Sequence, residues 1–166
     1  MLTDAQRNEY AAKGYTWPIP VLSADEAAHY RERFEAYERR HGGWYELSKG
    51  QKLYLLQTWV AELVADKRVI ESVADVLGED VFCWGTSLFV KEAQSTSYVS
   101  WHQDSTYWGL SSADVVTAWI ALSPATLESG CMKMVPGGAE REQLPHSDTL
   151  ASENLLTRGQ EIQVEV

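Results

Sequence analysis

The chain has 166 residues, a length typical of one domain, and its 45% hydrophobic content excludes a disordered chain. Its formal net charge of −10 argues against binding to nucleic acid, which needs a basic face, and against adhesion to an anionic membrane. No apolar run is long enough to span a bilayer, and the N-terminus does not have the pattern of a signal peptide. Two distant cysteines, Cys83 and Cys131, predict no disulfide framework, so we expect a cytoplasmic protein.

Capping patterns predict two helices near the N-terminus. Thr3 with Gln6, and Ser23 with Glu26, have the spacing of a capping box. In this motif the two side chains satisfy backbone N–H groups that the first helical turn leaves free. Glycines commonly end helices in the left-handed conformation. Glycines suited to this role follow at Gly14 and Gly42–Gly43.

Two shorter helices are predicted before the pattern changes. They cover residues 59–65 and 67–77, with Asp66 as the N-cap between them and Gly78 as the C-terminal stop. Helices therefore account for most of the first 80 residues.

Residues 81–166 have the pattern of strands. Aromatic, β-branched or alternating residues predict strands at 81–90, 98–101, 115–122, 131–135 and 162–166. The polar segment 139–160 is predicted to be loop. Helices followed by strands indicate an α+β fold or a barrel with a helical flank.

His102 and Asp104 are the strongest candidates for chemistry. Residues two apart in extended chain point to the same side, so the imidazole and the carboxylate can converge. They would supply two of the three protein ligands of a 2-His-1-carboxylate iron(II) site. Spacing alone favours a simpler alternative, a hydrogen bond between the two side chains in a loop. Aromatic neighbours that would shelter a metal favour the site: Trp101, Tyr107, Trp108 and Trp119.

Several separated motifs resemble, in the same order, those of the phytanoyl-CoA dioxygenase family. They are Trp101-His102-Gln103-Asp104, Tyr107-Trp108-Gly109-Leu110, the segment 116–122 and the segment 130–137. The resemblance implies one domain whose core is a double-stranded β-helix, a cupin-like jelly roll. Residues 1–80 would form the helical flank, and residues 81–166 would form a partial jelly roll.

The resemblance also implies iron(II) as cofactor and 2-oxoglutarate as co-substrate. By analogy His102 and Asp104 are the iron ligands, with no further catalytic residue, and Gln103 and Trp119 help to hold 2-oxoglutarate. Packing in a hydrophobic core is an equal alternative for Trp119. Related halogenases have a small residue in place of the carboxylate, so Asp104 favours hydroxylation.

Two features of the family have no secure counterpart in the sequence. One is a second, distal histidine ligand, and the other is a basic residue that pairs with the far carboxylate of 2-oxoglutarate. We therefore expect a jelly roll that is incomplete at the C-terminus. His146 and Arg158 have a similar spacing, but Pro145 and its polar neighbours predict an exposed loop instead of a strand. His29 and His41 belong to a polar helix and are expected to face solvent.

The favoured function is a 2-oxoglutarate-dependent hydroxylase that acts on an unidentified small molecule and releases succinate and carbon dioxide. The main alternative is a non-catalytic fragment that binds or dimerises, with a homodimer covering open strand edges. A third is a cupin-like binder of a sugar or another small molecule. None of these three hypotheses involves a nucleic-acid partner or a membrane.

Overall fold

The computed structural model describes residues 1–43, 52–112, 114–137, 142–149, 151–156 and 158–160. The helices are α1 (Asp4–Lys13), α2 (Ala24–His41), a 3-10 turn (Leu53–Leu55), α3 (Thr58–Val64), α4 (Lys67–Leu77) and α5 (Ser105–Trp108). The strands are β1 (Ser147–Asp148) and β2 (Arg158–Gly159). Within these ranges, no helix is both long enough and apolar enough to cross a bilayer.

The predicted caps of the first two helices are confirmed. The Thr3 hydroxyl accepts a hydrogen bond from the Gln6 backbone N–H at 3.2 Å, and the Gln6 side chain accepts one from the Thr3 N–H at 2.9 Å. A second box joins Ser23 and Glu26 at the start of α2. The glycine that ends α1, Gly14, has φ 82°, where a residue with a Cβ would be strained.

The helices α3 and α4 also agree with the predicted bounds. α3 begins and ends one residue earlier than predicted, and α4 covers the predicted range. The Asp66 carboxylate accepts a hydrogen bond from the Arg68 N–H at 2.8 Å, which confirms its role as N-cap. Arg68 also contacts Glu26 at 2.9 Å and so links α4 to the first turn of α2.

A small hydrophobic core holds this helical part together. Its buried members are Leu53, Trp59 and Val60. The side chains of α2 that pack against it recur at helical spacing: Tyr30, Phe34 and Tyr37. Leu88 packs against the same core and joins the helical part to the segment that follows it.

The predicted strands at 81–90, 115–122 and 131–135 form no strand ladder among the described residues. Burial does alternate along 81–84, where half-buried Val81 and Cys83 alternate with exposed Phe82 and Trp84, but Gly85 is exposed as well and interrupts the alternation. Alternation of this kind is typical of a strand, but a strand is completed only by hydrogen bonds to a neighbour. The double-stranded β-helix stays a prediction. The predicted strand at 162–166 lies outside the described residues.

The prediction of loop throughout 139–160 is wrong for two short segments. β1 and β2 pair antiparallel there, with Ser147 opposite Gly159 and Asp148 opposite Arg158. An ion pair of 2.9 Å between the Arg158 and Asp148 side chains reinforces the pairing. The pattern of residues missed these strands because each has only two residues, too few to show an alternation.

Candidate metal centre

The segment that carries the predicted metal ligands is held by backbone hydrogen bonds to residues much further along the chain. The Tyr98 N–H donates to the Glu153 carbonyl at 2.9 Å, and the Leu155 N–H donates to the Tyr98 carbonyl at 2.9 Å. Closer to the ligands, the Gln160 N–H donates to the Trp101 carbonyl at 2.8 Å. These bonds fix the backbone just before the ligands.

Ser100 and Gly159 make the closest approach between the two segments. A Cβ on Gly159 would lie 2.5 Å from Ser100 Oγ and 2.8 Å from Ser100 Cβ, which is too close for any side chain. Glycine therefore lets β2 lie directly against the ligand segment. The Ser100 hydroxyl donates to the Arg158 carbonyl at 3.2 Å and adds to the same contact.

His102 and Asp104 converge, as the metal site and its simpler alternative, a hydrogen bond between the two side chains, both predict. The Nε2 atom of His102 lies 3.0 Å from Oδ1 of Asp104, and Nδ1 lies 2.8 Å from the Ser100 carbonyl oxygen. A carbonyl can only accept a hydrogen bond, so Nδ1 carries a proton and Nε2 is the atom directed at the carboxylate. Both side chains are partly exposed, His102 by 23% and Asp104 by 43%.

Each member of the pair shifts the pKa of the other. The hydrogen bond to Asp104 raises the pKa of His102, and burial opposes that rise. The same bond lowers the pKa of Asp104, again against burial, and the hydroxyl of Thr117 lowers it further by donating to Oδ2 at 3.1 Å. Nδ1 of His102 donates its proton to the Ser100 carbonyl. The two atoms that face each other, His102 Nε2 and Asp104 Oδ1, both present lone pairs, so a proton or a cation must lie between them.

The donor atoms fit a divalent metal ion. Two neighbouring ligands of an octahedral ion, each about 2.1 Å from it, lie about 3 Å apart. The 3.0 Å between Nε2 and Oδ1 matches this separation. The Ser100 carbonyl is also the kind of partner that orients a metal-binding histidine through its other ring nitrogen. Within the described ranges, no third His, Cys, Asp or Glu joins His102 and Asp104.

The side chain of Gln103 is engaged by the protein itself. Its Oε1 accepts from the Leu144 N–H and from the Gln160 side-chain amide, both at 2.8 Å. Its Nε2 donates to the Glu142 carbonyl at 3.3 Å. The predicted role of Gln103 in holding 2-oxoglutarate would require these bonds to be exchanged for bonds to the co-substrate.

Trp119, the other residue predicted to hold 2-oxoglutarate, is not packed in a hydrophobic core. Its side chain is 46% exposed, which argues against the core alternative. It follows Thr117 by two residues, and Thr117 contacts Asp104 directly. Sequence reasoning missed Thr117, because a threonine in an apolar, β-branched segment carries no signal of such a contact.

His146 lies near the pair, but both of its ring nitrogens are engaged. Its Nε2 accepts from the Gln103 backbone N–H at 3.0 Å, and its Nδ1 lies 3.0 Å from the Leu144 carbonyl oxygen. Tyr107 packs edge-on against both histidines, with ring centroids 5.9 Å from His102 and 6.1 Å from His146. His146 is half-buried, so the expectation of a solvent-facing loop histidine is wrong. The contact with the ligand segment is what buries it.

Arg158 is likewise engaged elsewhere. Its guanidinium pairs with Asp148 across the β1–β2 ladder at 2.9 Å. Its backbone carbonyl accepts a hydrogen bond from the Tyr107 hydroxyl at 2.7 Å. Arg158 therefore supports the site through its main chain, while its charge is balanced by a carboxylate on the neighbouring strand.

Comparison with known proteins places the chain in a family. The model of the phytanoyl-CoA dioxygenase (PhyH) family matches residues 10–166. The chain belongs to the phytanoyl-CoA dioxygenase family. The resemblance drawn from the motifs around His102 is thus confirmed.

One curated relative adds to this assignment. It is the "Probable alpha-ketoglutarate-dependent hypophosphite dioxygenase" of Stutzerimonas stutzeri, 24% identical over 165 residues. The match covers 89% of this chain and 57% of the relative, so the chain spans little more than half of the relative's length. No solved structure matches the chain significantly.

Proposed function

We propose that this member of the family is an iron(II)- and 2-oxoglutarate-dependent dioxygenase that hydroxylates a small molecule. The observation that carries the proposal is the 3.0 Å approach of His102 Nε2 to Asp104 Oδ1, with Nδ1 held by Ser100. The family match and the name of the Stutzerimonas relative support the use of 2-oxoglutarate. The family match also supports a cupin-like β-roll.

The residues of the chain would prepare the site for the metal. Bound iron(II) with 2-oxoglutarate supplies the oxidation, in which 2-oxoglutarate and dioxygen become succinate, carbon dioxide and one hydroxyl oxygen on the substrate. Ser100 keeps the proton on Nδ1 of His102, so Nε2 presents a lone pair. Thr117 binds Oδ2 of Asp104 and leaves Oδ1 directed toward the histidine. Tyr107 packs on the edge of the His102 ring and limits its rotation.

The decisive experiment measures succinate formation from 2-oxoglutarate with iron(II) and ascorbate. We expect the wild type to form succinate and His102→Ala to fall to the background rate, because one of the two protein ligands is lost. His29→Ala is the matched control, since His29 lies on α2 among exposed residues. If neither the wild type nor His102→Ala forms succinate above the background rate, the proposal is refuted.

A second candidate function is a dimerising domain. Large apolar side chains are exposed on segments that have no strand ladder among the described residues, with Phe82 at 82%, Phe89 at 62% and Met132 at 52%. Such faces promote association with another chain.

Sedimentation velocity tests whether the chain forms a dimer through these faces. Phe82→Ser and Phe89→Ser should convert a dimer to a monomer. Leu127→Ser, at a position 77% exposed within a turn, should not. A wild-type monomer at all concentrations would refute it.

A further inference from the structure

Gln160 is bonded to the residues on both sides of His102. Its backbone N–H donates to the carbonyl of Trp101, the residue before His102, at 2.8 Å. Its side-chain amide donates at 2.8 Å to the Oε1 atom of Gln103, the residue after His102. Gln160 is only 8% exposed, one of the most buried polar residues among those described. A residue far along the chain thus binds both sequence neighbours of His102, the histidine of the candidate metal pair.

The amide of Gln160 belongs to a network centred on Gln103. The N–H groups of Leu144 and Gln160 both bind Gln103 Oε1, and His146 binds the Gln103 backbone N–H. The Gln160 amide also contacts the Leu144 carbonyl at 3.4 Å. Every polar group of the Gln103 side chain therefore has a partner, so the residue between the two ligands is held in one orientation.

The orientation of Gln103 decides whether the two ligands meet. The chain bends at Trp101 and enters the helical conformation at Asp104, which has φ −55° and ψ −37°. Where residues i and i+2 point depends on the backbone angles between them. A rotation at Gln103 would therefore separate Nε2 of His102 from Oδ1 of Asp104, although both side chains would still be present.

We propose that Gln160 is a positioning residue, which acts through Gln103 to keep His102 and Asp104 converged for metal binding. The inference rests on the proposed metal site and deepens it. Gln160 touches neither ligand side chain among the hydrogen bonds described, so its influence passes through the Gln103 amide and the Trp101 carbonyl.

The test is a titration with Co²⁺ alone, followed by visible absorption. Gln160→Met keeps the length of the side chain and removes the amide. We expect it to raise the dissociation constant for Co²⁺ about tenfold, the usual size of an effect on ligand orientation. The matched control is Gln143→Met. Gln143 lies in the same segment as Leu144, but its side chain contacts Ser105 and Thr106 instead of Gln103. We expect the control to change the constant less than about twofold.

A double variant separates positioning from general stability. If Gln160 acts through Gln103, then Gln103→Met with Gln160→Met should bind Co²⁺ no more weakly than Gln103→Met alone. A merely structural role would make the two losses additive. If Gln160→Met does not fold, Gln160→Glu replaces it, since the isosteric carboxylate offers an acceptor to Gln103 Oε1 in place of a donor.

A second readout needs no metal. Nitrogen-15 NMR of the histidine side chains should show a single environment for Nδ1 of His102 in the wild type, with its proton donated to the Ser100 carbonyl, and more than one environment in Gln160→Met. Unchanged Co²⁺ affinity and an unchanged His102 spectrum in Gln160→Met would overturn the inference, while loss of Co²⁺ binding in His102→Ala would leave the proposed function standing. If the wild type binds no Co²⁺, the proposed function fails and the NMR result alone decides the role of Gln160.

Discussion

Gly159 lies so close to Ser100 that a Cβ at position 159 would be 2.5 Å from the serine hydroxyl oxygen. The carbonyl of the same serine accepts the hydrogen bond from Nδ1 of His102. The packing of β2 against Ser100 therefore affects the orientation of His102, the candidate iron ligand.

The first prediction concerns this contact. Gly159→Ala should destabilise the protein by about 1–3 kcal/mol, because the added methyl group must displace Ser100. Urea denaturation measures the change in the free energy of unfolding. Ser100→Gly in the same chain removes both obstructing atoms and should restore most of the loss. A lack of rescue would show that the cost arises elsewhere.

The second prediction concerns the hydroxyl of Tyr107. Tyr107→Phe removes the hydrogen bond of 2.7 Å to the Arg158 carbonyl but keeps the ring between the two histidines. We expect a loss of about 1 kcal/mol in unfolding free energy, with the affinity for Co²⁺ unchanged. Tyr107→Leu, which also removes the ring, should lower both. An equal effect of the two variants on Co²⁺ binding would contradict a role for the ring.

The third prediction is a dependence of stability on pH at the junction of α2 and α4. The hydrogen bond from Arg68 lowers the pKa of Glu26 from 4.5 to about 2. A lowered pKa in the folded state stabilises the protein above about pH 4.5, and that stabilisation is lost as the pH falls toward 2.

Glu26→Gln isolates this charge, because glutamine also satisfies the capping box. The variant should have a lower Tm than the wild type at pH 7, and the difference should vanish near pH 2. Since the ion pair is exposed, we expect the difference at pH 7 to be small and to shrink in 1 M salt. A difference in Tm that does not change with pH would show that the charge of Glu26 is not its cause.

The fourth prediction compares two leucines of one 3-10 turn. Leu53 is 3% exposed and belongs to the core, whereas Leu55 is 68% exposed. Leu53→Ala should lower the unfolding free energy by about 2–5 kcal/mol, because it removes buried methyl groups and leaves a cavity. Leu55→Ala should change it by less than about 0.5 kcal/mol. Similar losses from both variants, measured by urea denaturation, would mean that the turn does not anchor the core.

The sequence by itself determined the features that depend on neighbouring residues. The caps at Thr3 and Ser23 and the stop at Gly14 follow from interactions within one helical turn, which residue type and spacing decide. That His102 and Asp104 are able to converge is of the same kind, since the two residues are only two positions apart. The family motifs around them added the expectation of a metal.

Only the tertiary structure decided which distant residues support that pair. Ser100 meets Gly159, and Gln103 meets Gln160 and His146, across more than 40 positions of chain in each case. Such contacts depend on how distant segments pack together. The identity of one glutamine or glycine does not indicate which distant residue it will contact. The tertiary structure likewise placed the only ladder among the described residues at 147–159, because strand pairing is a property of two segments and not of one.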